Sequence, residues 1–191
     1  MVAQIGVQVK KKALRYAQGL TEKGCEAREL FCKEIESLVE KSMSVIYLDE
    51  TGFVHDVHRT QAWGLKGEVV YGCQSAQQRP RMNLIGGYVN HKLIAPMLFQ
   101  GACNTQVFNQ WLEHMLLPEL AAGSVIVMDN ASFHKSQASR DLIEQAACHL
   151  LFLPPYSPDL NPIEHVWANL KRERRTSMCS VEELLQTSLY L

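Results

Sequence analysis

Three acids stand where apolar runs stop or a helix begins. Asp49 follows Ser44-Val45-Ile46-Tyr47-Leu48, and Asp129 follows Ser124-Val125-Ile126-Val127-Met128. Glu164 comes just after the proline-rich stretch Pro154-Pro155-Tyr156-Ser157-Pro158-Asp159-Leu160-Asn161-Pro162. Taken singly, each Asp reads equally well as a strand end that starts a turn. Glu164 reads first as a capping residue, three positions after a natural N-cap, Asn161, with Pro162 at the first helical position. Taken together they suggest different chemistry. Two carboxylates at one apolar rim repel, and one holds a proton unless a cation intervenes. A hard divalent ion binds through a few carboxylates and keeps room for water and phosphate oxygens. That points to Asp49, Asp129 and Glu164 as one metal site.

Other candidates carry less. His55 and His58 flank Asp56 in an irregular segment without further ligands. His134 is placed to contact a phosphate or to cap the next helix, and His165 to pack or meet solvent. No glycine-rich phosphate loop is present, and no serine has the setting of a nucleophile elbow. Lys171, Arg172, Arg174 and Arg175 cluster after Glu164, opposed only by Glu173. By default this is a solvated helix face; beside a metal site it would engage a phosphate backbone.

The elements that must position these residues follow from pattern. Residues 1–24 carry no clear periodicity and are read as an N-terminal segment with little order of its own. Residues 25–41 place Ala27, Leu30, Phe31, Ile35, Leu38 and Val39 at helical spacing, which predicts a packing helix. Residues 44–48 predict a central strand, and Glu68 to Tyr71 a short edge strand. The runs 82–89 and 93–99 flank Asn90-His91 and predict a hairpin, with Pro96 at an edge or bulge. Asn104 or Thr105 caps a helix to about Leu117. Strand 124–128, a helix from Ser136 to Ala147 and strand 149–153 follow. The helix carrying Glu164 comes next, and a last helix starts at Ser180 with Glu183 completing a capping box. This order predicts an α/β fold, a mixed sheet of about five strands with helices on both faces.

Composition sets bounds. The chain has 191 residues, 47% hydrophobic and 20% charged, with net charge −1. That favours one globular domain. It lacks the basic excess common in compact nucleic-acid-binding modules, so such contact must come from local patches or another chain. Six cysteines at 25, 32, 73, 103, 148 and 179 form no zinc or redox spacing and read as reduced thiols. No apolar run is long enough for a bilayer span or a signal peptide, so the expected location is cytoplasmic.

Three blocks now gain meaning together: Tyr47-Leu48-Asp49-Glu50-Thr51-Gly52-Phe53; Val127-Met128-Asp129-Asn130-Ala131-Ser132-Phe133-His134-Lys135; and Leu153 through Glu164. They resemble the catalytic blocks of mariner-like bacterial insertion-sequence transposases, of the Asp-Asp-Glu superfamily. Asp129 and Glu164 are separated by 34 residues, the spacing of this branch, and Asp49 and Asp129 by 79. The resemblance covers about residues 25–175. It implies a ribonuclease-H-like fold over 25–191. It implies Asp49, Asp129 and Glu164 as catalytic, metal-binding acids holding two Mg²⁺ (or Mn²⁺) ions, which assist an in-line phosphoryl displacement. The implied partner is double-stranded DNA, both element ends and target. Asn130, His134, Lys135, Lys171 and Arg172 are the expected DNA contacts. The helix-turn-helix recognition part of such transposases has no counterpart in residues 1–40, so a separate polypeptide from an upstream frame is expected to supply it. A homodimer is compatible with this reading. Two other functions stay open: an inactive truncated remnant that only binds DNA or a partner, and a stand-alone structure-directed nuclease on the same fold.

Overall fold

The computed structural model describes residues 17–54, 63, 65–71 and 81–187. Its centre is a five-stranded sheet in the order β3-β2-β1-β4-β5. The strands are β1 (Val45–Phe53), β2 (Met82–Val89), β3 (Lys92–Gln100), β4 (Val125–Met128) and β5 (His149–Phe152). β1 runs antiparallel to β2 and parallel to β4, and β4 runs parallel to β5. Asn90 (φ 48°) and His91 (φ 64°) make the β2–β3 turn as expected; both central residues take positive φ, the twist that suits a two-residue hairpin. Pro96 lies on β3, an edge strand, where its missing N–H is tolerated. Pairing with β2 shifts register between Ile85 and Gly87.

Helices cover both faces because β1 and β4 alternate apolar side chains to each side. Ile46, Leu48, Ile126 and Met128 pack with Phe108 and Trp111 of α2 (Thr105–Trp111) and Ile143 of α3 (Gln137–Gln145). A π-helical turn, Leu112–Leu116, extends α2 and buries Leu112 and Leu116. On the other face Val125 and Val127 meet Phe31 of α1 (Glu22–Glu40). Phe53, Leu84 and Leu93 meet α4 (Ile163–Ser177) and α5 (Val181–Thr187).

Several local expectations hold. The Asn104 side chain accepts from Val107 N at 2.9 Å and caps α2. Ser180 and Glu183 exchange their capping-box bonds at 3.0 and 3.1 Å. Others are corrected. α1 starts at Glu22, capped by Thr21, three residues before the expected start. Gly24 lies inside α1; a Cβ there would lie 2.7 Å from Gly19 O, so the close approach requires glycine. Glu68 to Tyr71 form no strand and stay exposed, because neither edge of the sheet pairs with them. His55, Asp56 and His58 lie outside the described residues.

Candidate metal-binding active site

The sheet register brings the two aspartates level. Parallel pairing of β1 with β4 runs from Val45↔Val125 to Tyr47↔Val127. Two residues further, in the same register, stand Asp49 and Asp129. Asp129 follows the last residue of β4, as expected. Asp49 does not end its strand: β1 leaves β4 but stays paired with β2 as far as Phe53, with Asp49 opposite Gly86. Carboxyl ends of neighbouring parallel strands are where open α/β sheets place their reactive groups.

Glu164 arrives from the first turn of α4. The loop before it is held at four points. Leu153 N donates to Met128 O at 2.9 Å, and Asn130 Nδ2 donates to Leu153 O at 2.6 Å. Arg28 of α1 grips both oxygens of Asp159 at 2.9 and 2.5 Å. Asn161 Nδ2 donates to Leu48 O at 3.4 Å. Asn161 is not the side-chain cap its position suggests: its side chain is turned to β1, its Oδ1 accepts from no helix N–H, and Pro162 occupies the cap without a side-chain bond. Nor does Glu164 form a capping box. Its side chain is exposed and makes no capping bond among the described residues, while its backbone N–H donates to Asn161 O at 3.2 Å. The fixed φ of four prolines narrows the paths this loop can take.

Ile163, Val166, Trp167 and Leu170 are buried, and they seat α4 on the sheet. Trp167 lies across Gly86, where a Cβ would come within 3.4 Å of its ring. Its Nε1 donates to Asp49 Oδ2 at 3.0 Å. Asp49, Asp129 and Glu164 thus line one cleft of about 520 Å³, together with Asn130, Tyr156 and Asn161. Tyr156 holds φ 58° there, an uncommon conformation for a large side chain.

The electrostatics of the two aspartates differ. Burial, then the nearby Glu164 and Glu50, push the Asp49 carboxyl up from 3.8 to about 7. Asp129 moves the other way: the hydrogen bond from His134 holds it below its usual range, against the effect of burial. His134 Nδ1 lies 2.7 Å from Asp129 Oδ1, and Nε2 lies 3.0 Å from Glu50 Oε1. Burial alone would lower His134, but its two carboxylate partners overcome it and push it up to about 9. With a carboxylate on each nitrogen, the ring donates twice, as imidazolium.

The residues present fit a hard divalent cation. The donors are carboxylate oxygens, and the strained partner, Asp49, is disfavoured as an anion by a like charge that a cation would offset. The buried Asn161 Oδ1 at the same cleft has no donor among the described residues. The acids are not drawn into a closed cage: among the described residues no three His, Cys, Asp or Glu already stand as a metal cluster. An open arrangement suits an ion that retains waters and substrate oxygens.

The expected DNA contacts divide. Lys135 and Arg172 are exposed, Lys171 half-buried. Asn130 borders the cleft, but its amide is tied to Leu153. His134 is corrected: it is 1% exposed and both ring nitrogens are occupied, so no DNA reaches it. Arg174, grouped with the basic face, turns inward instead, donating to Val54 O at 2.6 Å and lying over the Phe53 ring. Sequence reasoning missed Glu50, Trp167, Arg28 and Asn161 as organisers of the site. Glu50 stood in the first block, next to Asp49, but its partner is 84 positions away.

The DDE superfamily endonuclease family matches residues 44–185, and the chain belongs to that family. Among its relatives it is similar to the Tc1 transposase of Caenorhabditis elegans, 38% identical over 66 residues, which are 35% of this chain and 24% of that protein. It is 28% identical over 107 residues to the Tcb1 transposase of Caenorhabditis briggsae, 53% of this chain and 39% of the relative. Among solved structures, the mariner Mos1 paired-end complex with Mg superposes with TM-score 0.70 at 19% identity, covering 90% of this chain and 55% of that one. The Mos1 catalytic domain superposes with TM-score 0.59 at 19% identity, over 84% and 75%. At that identity the likeness is one of fold, and it bears out the expected ribonuclease-H-like sheet. The chain spans about a quarter of the Tc1 protein and about half of the Mos1 chain.

Proposed function

We propose that residues 25–191 form the catalytic domain of a DNA transposase of the mariner-like insertion-sequence kind, preceded by residues 1–24. It cuts the ends of an element and joins them to target DNA. The observation that carries this is the convergence of Asp49, Asp129 and Glu164, from three separate elements, on one open cleft. They would hold divalent metal, two Mg²⁺ or Mn²⁺ ions. The bound metal would supply charge neutralisation and activation for an in-line phosphoryl displacement. The Mos1 relatives have been solved with Mg and with Mn, which supports the choice of ion.

The chain's own residues prepare the cleft. Trp167 orients Asp49, His134 orients Asp129, and the proline-rich loop carries Glu164 and Tyr156 to the rim. Lys135, Lys171 and Arg172 are the proposed contacts to the phosphate backbone of double-stranded DNA. Asn130 lies beside the reacting strand. End recognition falls to a helix-turn-helix polypeptide, and a homodimer would bring two ends together.

An inactive remnant is the second reading. The open cleft and the retained acids weigh against it, since a decayed site has no reason to keep three carboxylates facing one space. Mn²⁺-dependent nicking of plasmid DNA by the purified chain, abolished by Asp129→Ala, is the expected result. Equal nicking by the two proteins, or none by either at millimolar Mn²⁺, rejects the proposal.

A further inference from the structure

Glu50 follows Asp49 in sequence but not in space. The alternation of β1 sends Asp49 toward Trp167 and Glu50 to the opposite face. There it meets His134, with Nε2 3.0 Å from its Oε1. The same ring reaches back to Asp129 Oδ1 at 2.7 Å. The ring is 1% exposed. Phe108 lies 4.5 Å and Phe133 4.3 Å from it, centroid to centroid. Packing leaves it one orientation, and Glu50 fixes the end distant from the cleft.

The consequence falls on Asp129. Its Oδ1 receives two donors, His134 and the Ala131 N–H at 2.9 Å. That oxygen is engaged, so Oδ2 is the one free to turn into the cleft. A hydrogen-bonded chain runs from Glu50 through His134 to Asp129, and β1 carries Asp49 and Glu50 as consecutive residues on opposite faces.

We infer that Glu50 and His134 are a positioning pair for Asp129, with Glu50 acting only through the His134 ring and not as a ligand itself. This rests on the reading of Asp129 as a metal-holding acid. Partners of ligating carboxylates commonly change metal affinity about 10–100-fold when removed.

The test is Mn²⁺ titration of the full chain by electron paramagnetic resonance, with thermal unfolding in parallel. Asp129→Ala serves as control. His134→Phe keeps the aromatic packing and removes both donors; its Mn²⁺ affinity is expected to fall about 10–100-fold. His134→Asn keeps an N–H near Asp129 and should lie closer to wild type. Glu50→Ala should weaken binding, and Glu50→Gln should recover most of the loss because its amide oxygen still accepts. In the His134→Phe background, Glu50→Ala should add nothing, since a residue acting through another has no effect once the intermediary is gone.

Wild-type affinity in both Glu50→Ala and the His134 variants, with none in Asp129→Ala, overturns the positioning role alone. An undiminished Glu50 effect in the His134→Phe background also overturns it and makes Glu50 an independent ligand. Wild-type affinity in Asp129→Ala overturns the metal-site reading, and this inference with it. If His134→Phe fails to fold, Glu50→Gln against Glu50→Met decides the matter: the two fill similar space but only Gln presents an oxygen to His134 Nε2, so equal affinity in both overturns the positioning role.

Discussion

Asp49→Asn should make the metal-free protein more stable, and the gain should depend on pH. The folded protein holds the Asp49 proton up to about 7, whereas an ordinary carboxyl releases it near 3.8. Between those values the folded state binds more protons than the unfolded chain, so stability falls as pH rises through that window. The sign is the reverse of the usual salt-bridged aspartate. Taken in full, the gap is worth about 4 kcal/mol above pH 7. The cleft is open to water and Asp49 is only partly buried, so solvent screening reduces this to about 2 kcal/mol. Asn removes the charge and keeps an oxygen for the Trp167 N–H. For a chain of this size the gain is about 4–8 °C in midpoint. Calorimetric melts of both proteins in chelator at pH 4, 6 and 8 make the measurement. The difference should be small at pH 4 and full at pH 8. A neutral or destabilising Asp49→Asn at pH 8 would refute the claim that the site stores repulsion for a cation.

Two further outcomes concern the scaffold. Arg28→Ala removes the paired bonds to Asp159, whose side chain is partly exposed; unfolding should show a loss of about 1 kcal/mol, and DNA nicking should fall further than stability because the loop before Glu164 loosens. Gly86→Val places side-chain atoms against Leu93 and Trp167, where even a Cβ sits at 2.9 and 3.4 Å. Denaturant titration should show a loss of about 1–3 kcal/mol, and the fluorescence of the displaced indole should change.

Local signals were legible in the sequence. The Asn90-His91 turn, the Asn104 cap and the Ser180–Glu183 box are contacts within a few residues, and pattern reading finds such contacts. The five strands of the sheet were legible too from apolar runs and their turn residues, although β1 runs on past Asp49 to Phe53. Asp49, Asp129 and Glu164 were grouped by type, setting and spacing, and the structure puts them in one cleft; their roles stand as proposed. What failed was decided at long range. Asn161 has the sequence of a cap, but its side chain is turned toward Leu48 O, 113 positions away, and its Oδ1 accepts from no helix N–H. Arg174 sits in a basic run, yet the Val54 carbonyl and the Phe53 ring draw it inward. His134 looked like a surface contact because Glu50 and Phe108, which enclose it opposite its near neighbours Asp129 and Phe133, stand far from it in sequence. Glu68 to Tyr71 have strand propensity, but propensity does not provide a neighbouring strand.

The distance in sequence between the parts of the cleft also governs when it can exist. Trp167 reaches Asp49 across 118 positions, and β4 must be present before the two aspartates stand level. A growing polypeptide on the ribosome has Asp49 early, but no rim for it to share. Parallel pairing and distant contacts form late because the chain between them must first be closed into a loop. A chain released before α4 would carry two of the three acids and no helix to bring the third, so the shared cleft exists only once nearly the whole fold has been made.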